Sequence, residues 1–261
     1  PQGGAVRLWS ARRLHRLSLG GIHRCAFHEV AASIAHEVGS PLNAILGFAE
    51  LIRRSDLTSG QRENVDIILS RGRELLQLVL TVLDSARIEA GALLLARREV
   101  DMDVCLGRAL AEARELSEEF GVTIRGELEP GMPYLIGDEG RLVQAVVCVL
   151  HSAVRLTRRG GVVTLFAKVP ELHEDELVIA LQTTAGAVSR EEQERIFVAY
   201  LYAEEARKYG SLGLGLSLAR SLIELHLGRV EVSTHGDTVS FRLSIPLRYH
   251  GPMSESSMEI G

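Results

Sequence analysis

His36 stands directly before Glu37 in the run Ser33-Ile34-Ala35-His36-Glu37-Val38-Gly39-Ser40-Pro41-Leu42-Asn43. An imidazole beside a carboxylate can serve as a nucleophile with a general base at hand. At about 100° per residue, with Ile34 as origin, the apolar stripe of this segment spans roughly −40° to +80°, while His36 falls near 200° and Ser40 near 240°. Both therefore point off the packed seam. Pro41 removes the N–H that would bond the Glu37 carbonyl, loosening the helix one turn beyond His36. An ordinary surface histidine has the same spacing. A second run, Gly210-Ser211-Leu212-Gly213-Leu214-Gly215-Leu216, puts unhindered backbone N–H groups at a helix start, where they can cradle phosphate oxygens. A tight helix-packing turn would give the same glycines.

These residues need scaffolds. The apolar positions Val30, Ile34, Val38, Leu42, Ile45, Ala49 and Ile52 step by three or four, as one helix face requires. Ser55 to Gly60 reads as a turn, and Gln61 to Ala90 resumes the helical period through Val65, Ile68, Leu69, Leu76, Val79 and Leu83, with Gly91 as the C-terminal stop. The spacing predicts an antiparallel helical hairpin. Beyond it the texture alternates: strands near Leu93 to Val100, Val122 to Glu127, Val162 to Val169 and Leu177 to Thr183; helices at Asp103 to Phe120, Asp138 to Leu156 and Gly213 to Leu227. A hairpin of Arg229 to Ser233 and Thr238 to Pro246, with His235-Gly236-Asp237 at its tip, closes a mixed sheet with helices on one face. Residues 189–212 read as a helical start and a mobile segment, and the Ser- and Glu-rich tail 249–261 as disordered.

Composition bounds the function. With 261 residues, 46% of them hydrophobic, the chain can build one large or two modest cores. A net charge of −5 excludes wholesale disorder and provides no broad basic field for nucleic acid. No apolar run approaches the roughly 18 residues of a membrane span. Cys25, Cys105 and Cys148 are widely spaced and form no CxxC pair, so neither a disulfide framework nor structural zinc is indicated, and a cytoplasmic setting is expected. Cys25, His28 and His36 lack a fourth ligand at any sensible spacing. Residues 1–27 are Arg-rich and free of acids, which reads as a solvated basic lead-in, and a chain opening on Pro1 is expected to have an upstream region.

The segment FHEVAASIAHEVGSPLNAILGFAELI, Phe27 to Ile52, resembles the phosphoacceptor box of the sensor histidine kinases of two-component signalling, whose usual core is His-Glu-hydrophobic-basic-Thr-Pro-Leu-Asn. The resemblance implies that His36 is the phosphoacceptor and that Glu37 polarises it. Ser40 takes the place of the Thr or Asn that positions water for phosphatase action, and Gly39 replaces a basic residue. It also implies that the hairpin, 28–90, pairs with a second copy into a four-helix bundle. Residues 91–248 resemble the GHKL, or Bergerat-type, ATP-binding sandwich of the same kinases. Asp138 through Gln144 resembles the entry to its asparagine-box helix, Ile196 to Tyr200 its aromatic lid box, and Gly210, Ser211, Gly213 and Gly215 its second glycine box. The expected fold class is thus α+β, a dimeric helical hairpin followed by an α/β sandwich.

Departures from that pattern carry the functional expectation. Cys148 and Ser152 stand where the family keeps asparagines, the second of which supports Mg²⁺, so Ser152 is the implied metal ligand. A serine retains a hard oxygen on a shorter side chain, and neighbouring His151 is a poor magnesium ligand. The first glycine box reads Thr183-Thr184-Ala185-Gly186-Ala187, which puts Thr183 where an acid should accept the adenine amino group and leaves Gly186 beside two alanines. Losing such a buried partner costs roughly 1–3 kcal/mol, about 5- to 150-fold in affinity. The expected activity is exchange of phosphate between His36 and a response-regulator aspartate, as in a phosphorelay, with ATP and Mg²⁺ use weak or lost. The alternatives are a pseudokinase scaffold that binds and regulates other signalling proteins, and an active ATP-dependent sensor kinase. The expected partners are a second copy of the chain and a receiver domain.

Overall fold

The computed structural model describes residues 37–129, 131–171, 175–184, 197 and 214–247. The basic lead-in, the segment 189–212 apart from Phe197, and the tail 249–261 lie outside them. The chain divides into two compact units, Pro1–Leu94 and Leu95–Gly261.

The first unit is a helical hairpin. Helix α1 is described over 37–53, and α2 runs Ser59–Glu89. A capping box opens α2: the Thr58 hydroxyl accepts from the Gln61 N–H at 3.3 Å, and the Gln61 side-chain oxygen accepts from the Thr58 N–H at 3.0 Å. The helix therefore begins two residues earlier than its apolar period suggests, and the expected turn shortens. At the other end Gly91 takes φ 67, and the Ala92 N–H bonds the Arg87 carbonyl at 2.8 Å. Ala49, Val65 and Leu69 form the seam, with Leu46 and Leu57 packed against it. The helices close tightly at Gly72, where a Cβ would stand 2.6 Å from Leu46 Cδ2. Arg73 pairs with Glu50 across the hairpin at 2.5 Å.

The expected apolar stripe of α1 divides here. Leu42 and Ala49 are buried, but Val38, Ile45 and Ile52 are 37%, 53% and 49% exposed, because one neighbouring helix covers only part of so broad a stripe. Val30 and Ile34 lie outside the described residues.

The second unit is an α/β sandwich. Strands β1 (Arg98–Asp101) and β3 (Tyr134–Gly137) make a two-stranded antiparallel sheet, with Val100 opposite Leu135. The main sheet has five strands: β2 (Thr123–Leu128), β4 (Val162–Lys168), β5 (Glu176–Thr184), β6 (Arg229–His235) and β7 (Thr238–Pro246), in the order β2-β4-β5-β7-β6. Among the described strands only β2 and β4 pair in parallel, joined through the crossover that contains α4 (Glu139–Leu156). Alternate residues of each strand face inward, so Leu165, Leu181 and Phe241 stand side by side in register and are all fully buried. Helix α4 packs on β4 and β5, flanked by α3 (Met102–Phe120) and α5 (Leu214–Leu225).

The mixed sheet with helices follows the sequence expectation, with three local differences. The strand expected at Leu93 to Val100 starts only at Arg98, since the residues before it have no ladder partner. Strand β3 was not anticipated from the sequence. Helix α5 stops at Leu225, and Leu227 takes φ 62 in the turn that follows. Among the described residues no helix is long and apolar enough to cross a membrane.

Candidate functional site

His36, Gly186, Gly210, Ser211 and Gly213 lie outside the described residues, as do Ala185, Ala187 and, apart from Phe197, the expected aromatic box. Phe197 is buried. Glu37, Ser40, Ser152, Thr183 and Gly215 are described, and they fall into two groups.

The first group is on α1. Glu37 and Ser40, three residues apart and hence neighbours on the helix surface, are both exposed, as are Pro41 and Asn43. Leu42, between the last two in sequence, turns inward to the seam. The helix continues through Pro41 to residue 53, so the proline loosens the ladder without ending it.

The second group depends on how α4 is held. Asp138 caps its N-terminus, Oδ1 accepting from the Arg141 N–H at 3.2 Å, while Oδ2 accepts from the Ala96 N–H at 2.9 Å. The Asp138 N–H itself donates to His226 Nε2 at 3.0 Å, which places the ring proton on Nδ1, 2.8 Å from the Leu222 carbonyl. One buried, neutral imidazole thus ties the start of α4 to the end of α5, the two helices that carry Ser152 and Gly215. Burial pushes the His226 pKa below its ordinary value, as a ring used in this way requires.

Ser152 and Gly215 meet at Cys148. The Ser152 hydroxyl donates back to the Cys148 carbonyl at 2.9 Å, and a Cβ on Gly215 would stand 3.9 Å from Cys148 Cβ and 4.0 Å from that same carbonyl oxygen. Those are ordinary contacts, so packing among the described residues does not demand glycine at 215. Ser152 is only 2% exposed. It offers Mg²⁺ one neutral oxygen whose proton is committed to its own helix, where the ion prefers carboxylates and water in octahedral array. His151 beside it is neutral: burial, with Arg155 nearby, pushes its pKa down to about 4, and its Nε2 is buried without a partner. Among the described residues no group of three His, Cys, Asp or Glu side chains could hold a metal ion. The described residues therefore do not fit magnesium at Ser152.

Thr183, at the inner face of β5, is tied to the far end of α4. Its hydroxyl pairs with that of Thr157, which in turn bonds the Ala153 carbonyl at 2.6 Å. Both threonines are buried. Thr157 and His226 were not singled out from the sequence. A threonine ending α4 and a histidine just past α5 are the only signals, and neither names its partner. Cys105, by contrast, is a core thiol whose pKa burial pushes up to about 12, so it is chemically inert.

Comparison with known proteins bears on both groups. Residues 28–91 match the His Kinase A (phospho-acceptor) domain, and residues 137–248 match the histidine kinase-, DNA gyrase B- and HSP90-like ATPase. The chain is 35% identical over 224 residues to the histidine protein kinase DivJ of Caulobacter vibrioides, covering 83% of this chain and 37% of that protein. It is 32% identical over 225 residues to the sensor histidine kinase GacS of Pseudomonas protegens, covering 84% of this chain and 24% of that one. The chain thus spans well under half the length of these curated relatives. Among solved structures, full-length ShkA in complex with AMPPNP superposes with a TM-score of 0.66 at 29% identity, covering 86% of this chain and 47% of that one. Histidine kinase ThkA in complex with the response regulator protein TrrA shares the fold, with a TM-score of 0.57 at 19% identity over 95% of this chain and 68% of that one.

Proposed function

Given that the chain belongs to the histidine kinase family, with a phospho-acceptor domain followed by an ATPase domain of the histidine kinase type, we propose that it carries phosphate on His36, exchanges it with a response-regulator aspartate, and makes little use of ATP to load it. The observation that carries this reading is the contrast between the two groups. Glu37 and Ser40 are exposed on α1, whereas Ser152 and Thr183 are buried, with their hydroxyls bonded inside the protein.

In this reading residues 28–90 are the phosphotransfer hairpin and 91–248 the ATP-binding-like domain. An imidazole nitrogen of His36 attacks the phosphorus of an aspartyl phosphate. The N–P bond forms, the P–O bond to the aspartate breaks, and the aspartate leaves as its carboxylate. Glu37 stabilises the imidazolium that develops and assists removal of its proton. Ser40 acts only when water takes the phosphate away. Gly186, Gly210, Ser211, Gly213 and Gly215 are the backbone contacts of a nucleotide whose base meets Thr183, and the missing metal grip at Ser152 keeps ATP-driven loading slow. The glycine at 215, for which packing among the described residues gives no reason, supports a remaining phosphate contact.

The hairpin acts as a homodimer. Val38, Ile45, Phe48 and Ile52 on α1, with Ile68, Leu75 and Leu80 on α2, leave more apolar surface in water than one hairpin can hide. A second copy covers such stripes as a four-helix bundle.

The test is incubation with a phosphorylated receiver domain. The chain should acquire one acid-labile, base-stable label that His36→Ala abolishes and Glu37→Gln slows by roughly 10²- to 10⁴-fold. Label on another residue, or none from receivers that nonetheless bind, would leave the scaffold reading. Fast labelling from ATP would restore the active-kinase reading.

A further inference from the structure

The residues that hold the start of α4 also hold the chain that enters the α/β unit. Asp138 Oδ1 caps the helix by accepting from the Arg141 N–H at 3.2 Å, while Oδ2 accepts from the Ala96 N–H at 2.9 Å. The next residue makes a second tie, Arg97 Nη2 donating to the Leu225 carbonyl, at the end of α5, at 3.3 Å. His226 Nε2 joins the two by accepting from the Asp138 N–H at 3.0 Å. Residues 95–97 therefore bridge the start of α4 and the end of α5. The Arg97 N–H also bonds the Leu95 carbonyl at 3.0 Å and folds the three residues on themselves. Ala96 and Arg97 are exposed, so these bonds, and not apolar burial, keep them in place. On the other side α2 ends in the Gly91 stop, with the Ala92 N–H on the Arg87 carbonyl. Leu93 and Leu94 lie between the two anchors and make no backbone hydrogen bond among the described residues. Leu94 is 89% exposed.

We propose that residues 95–97 are a releasable strap, which sets the length of free chain joining the helical hairpin to the α/β unit. While the strap is held, the free stretch is Leu93 and Leu94. Once it is released, Leu95, Ala96 and Arg97 join that stretch and add up to about 10 Å of reach, at roughly 3.3–3.6 Å per residue. Asp138 is the positioning residue, since its carboxylate both caps α4 and holds Ala96. The end of α5 governs the release. A shift of α5 against α4 stretches the bond from the Asp138 N–H to His226 and pulls on Arg97 through the Leu225 carbonyl at the same time. Opening the strap leaves the core intact, because β1 begins at Arg98 and keeps its ladder to β3. The opening is therefore local, at a cost far below that of unfolding the unit.

Residue-resolved amide hydrogen exchange of the full chain tests the strap. In wild type the Ala96 amide should exchange roughly tenfold or more slowly than those of Leu93 and Leu94, whose exchange should be near that of an unstructured peptide. Asp138→Ser keeps a helix-capping oxygen but loses the second oxygen that reaches Ala96. It should speed exchange at Ala96 by about tenfold while the amides of β5 keep their rates. His226→Leu never touches Ala96, yet it should raise exchange there more than in β5, because it removes the acceptor that holds the Asp138 backbone. A merely structural role for these residues would raise exchange throughout the unit in proportion. Should His226→Leu fail to fold, Arg97→Gln, at an exposed position, takes its place and should loosen Ala96 in the same way. Free exchange at Ala96 in wild type, protection of Leu93 and Leu94 equal to that of Ala96, or no change at Ala96 in Asp138→Ser would overturn the strap. Ala96 indifferent to both His226→Leu and Arg97→Gln would overturn its control by α5. None of these measurements involves phosphate on His36, so the strap and the phosphate-carrier reading stand or fall separately.

Discussion

The helical hairpin and the α/β unit handle their side chains in opposite ways. In the hairpin, a thin seam around Ala49, Val65 and Leu69 is buried, while Ile45, Phe48 and Leu51 are 53%, 67% and 61% exposed and the polar residues next to His36 in sequence face solvent. In the α/β unit, Phe241, Leu165 and Leu181 are fully buried, and Ser152, Thr157 and Thr183 are buried as well. Chemistry on the hairpin depends on what approaches from outside. Chemistry in the α/β unit depends on which internal partner each hydroxyl already has. A surface group keeps its reactivity when its neighbours drift, but a buried hydroxyl is defined by them.

The largest expected effect sharpens that contrast with one residue type. Phe241→Ala should destabilise the α/β unit by about 3–5 kcal/mol, because the cavity lies in a close-packed layer. Phe48→Ala should leave hairpin folding within about 0.5 kcal/mol and instead weaken self-association, seen as a rising monomer fraction in light scattering on dilution. Equal thermal losses in the two variants would break the comparison.

Acid should also act on the α/β unit. Burial depresses the folded pKa of His151 to about 4, against an ordinary value of 6.5, and depresses that of His226 in the same direction. The unfolded chain therefore binds protons first as pH falls. The stability associated with His151 is complete above about 6.5 and is lost progressively toward pH 4, by about 3 kcal/mol at most. Denaturant midpoints should fall over that window, and His151→Gln, which cannot take the proton, should flatten its share. No slope there would mean that His151 is solvated.

Next in size, Asp138→Ala removes the cap of α4 and the bond to Ala96 and should cost about 2 kcal/mol, read in the chemical melt of the α/β unit. Smallest is Leu227→Gly. Leu227 is held at φ 62, where a side chain is strained, so glycine should stabilise by about 0.5–1 kcal/mol despite its greater freedom in the unfolded chain. A loss of stability would show that the half-exposed Leu227 side chain makes up for its strained backbone.

The sequence was most legible where period and exposure coincide. The hairpin could be read from its three-four stepping, and Ser40 could be placed off the seam by angle alone. The same stripe could not say which of its members touch α2, because Leu42 and Ile45 look equivalent until a neighbouring helix chooses between them. Ser59 and Gly60 have turn chemistry that points to a later start for α2, and the capping box formed by Thr58 and Gln61 overrides it. Strand β3 is four residues long and pairs with β1 across the whole of α3, so no local pattern announces it. The candidate site divides the same way. Ser152 and Thr183 draw notice only through the family resemblance, and the partner of Thr183 is 26 positions away, so no local pattern announces their bonding.

The central claim is that phosphate passes through His36 from a receiver more readily than from ATP. The direct measurement is the initial rate of acid-labile labelling of the full chain from phosphorylated receiver and from γ-labelled ATP with Mg²⁺, with the His36→Ala variant run alongside. Faster labelling from the receiver, absent in the variant, is the predicted result. Labelling from ATP at a rate equal to or above that from the receiver would contradict it.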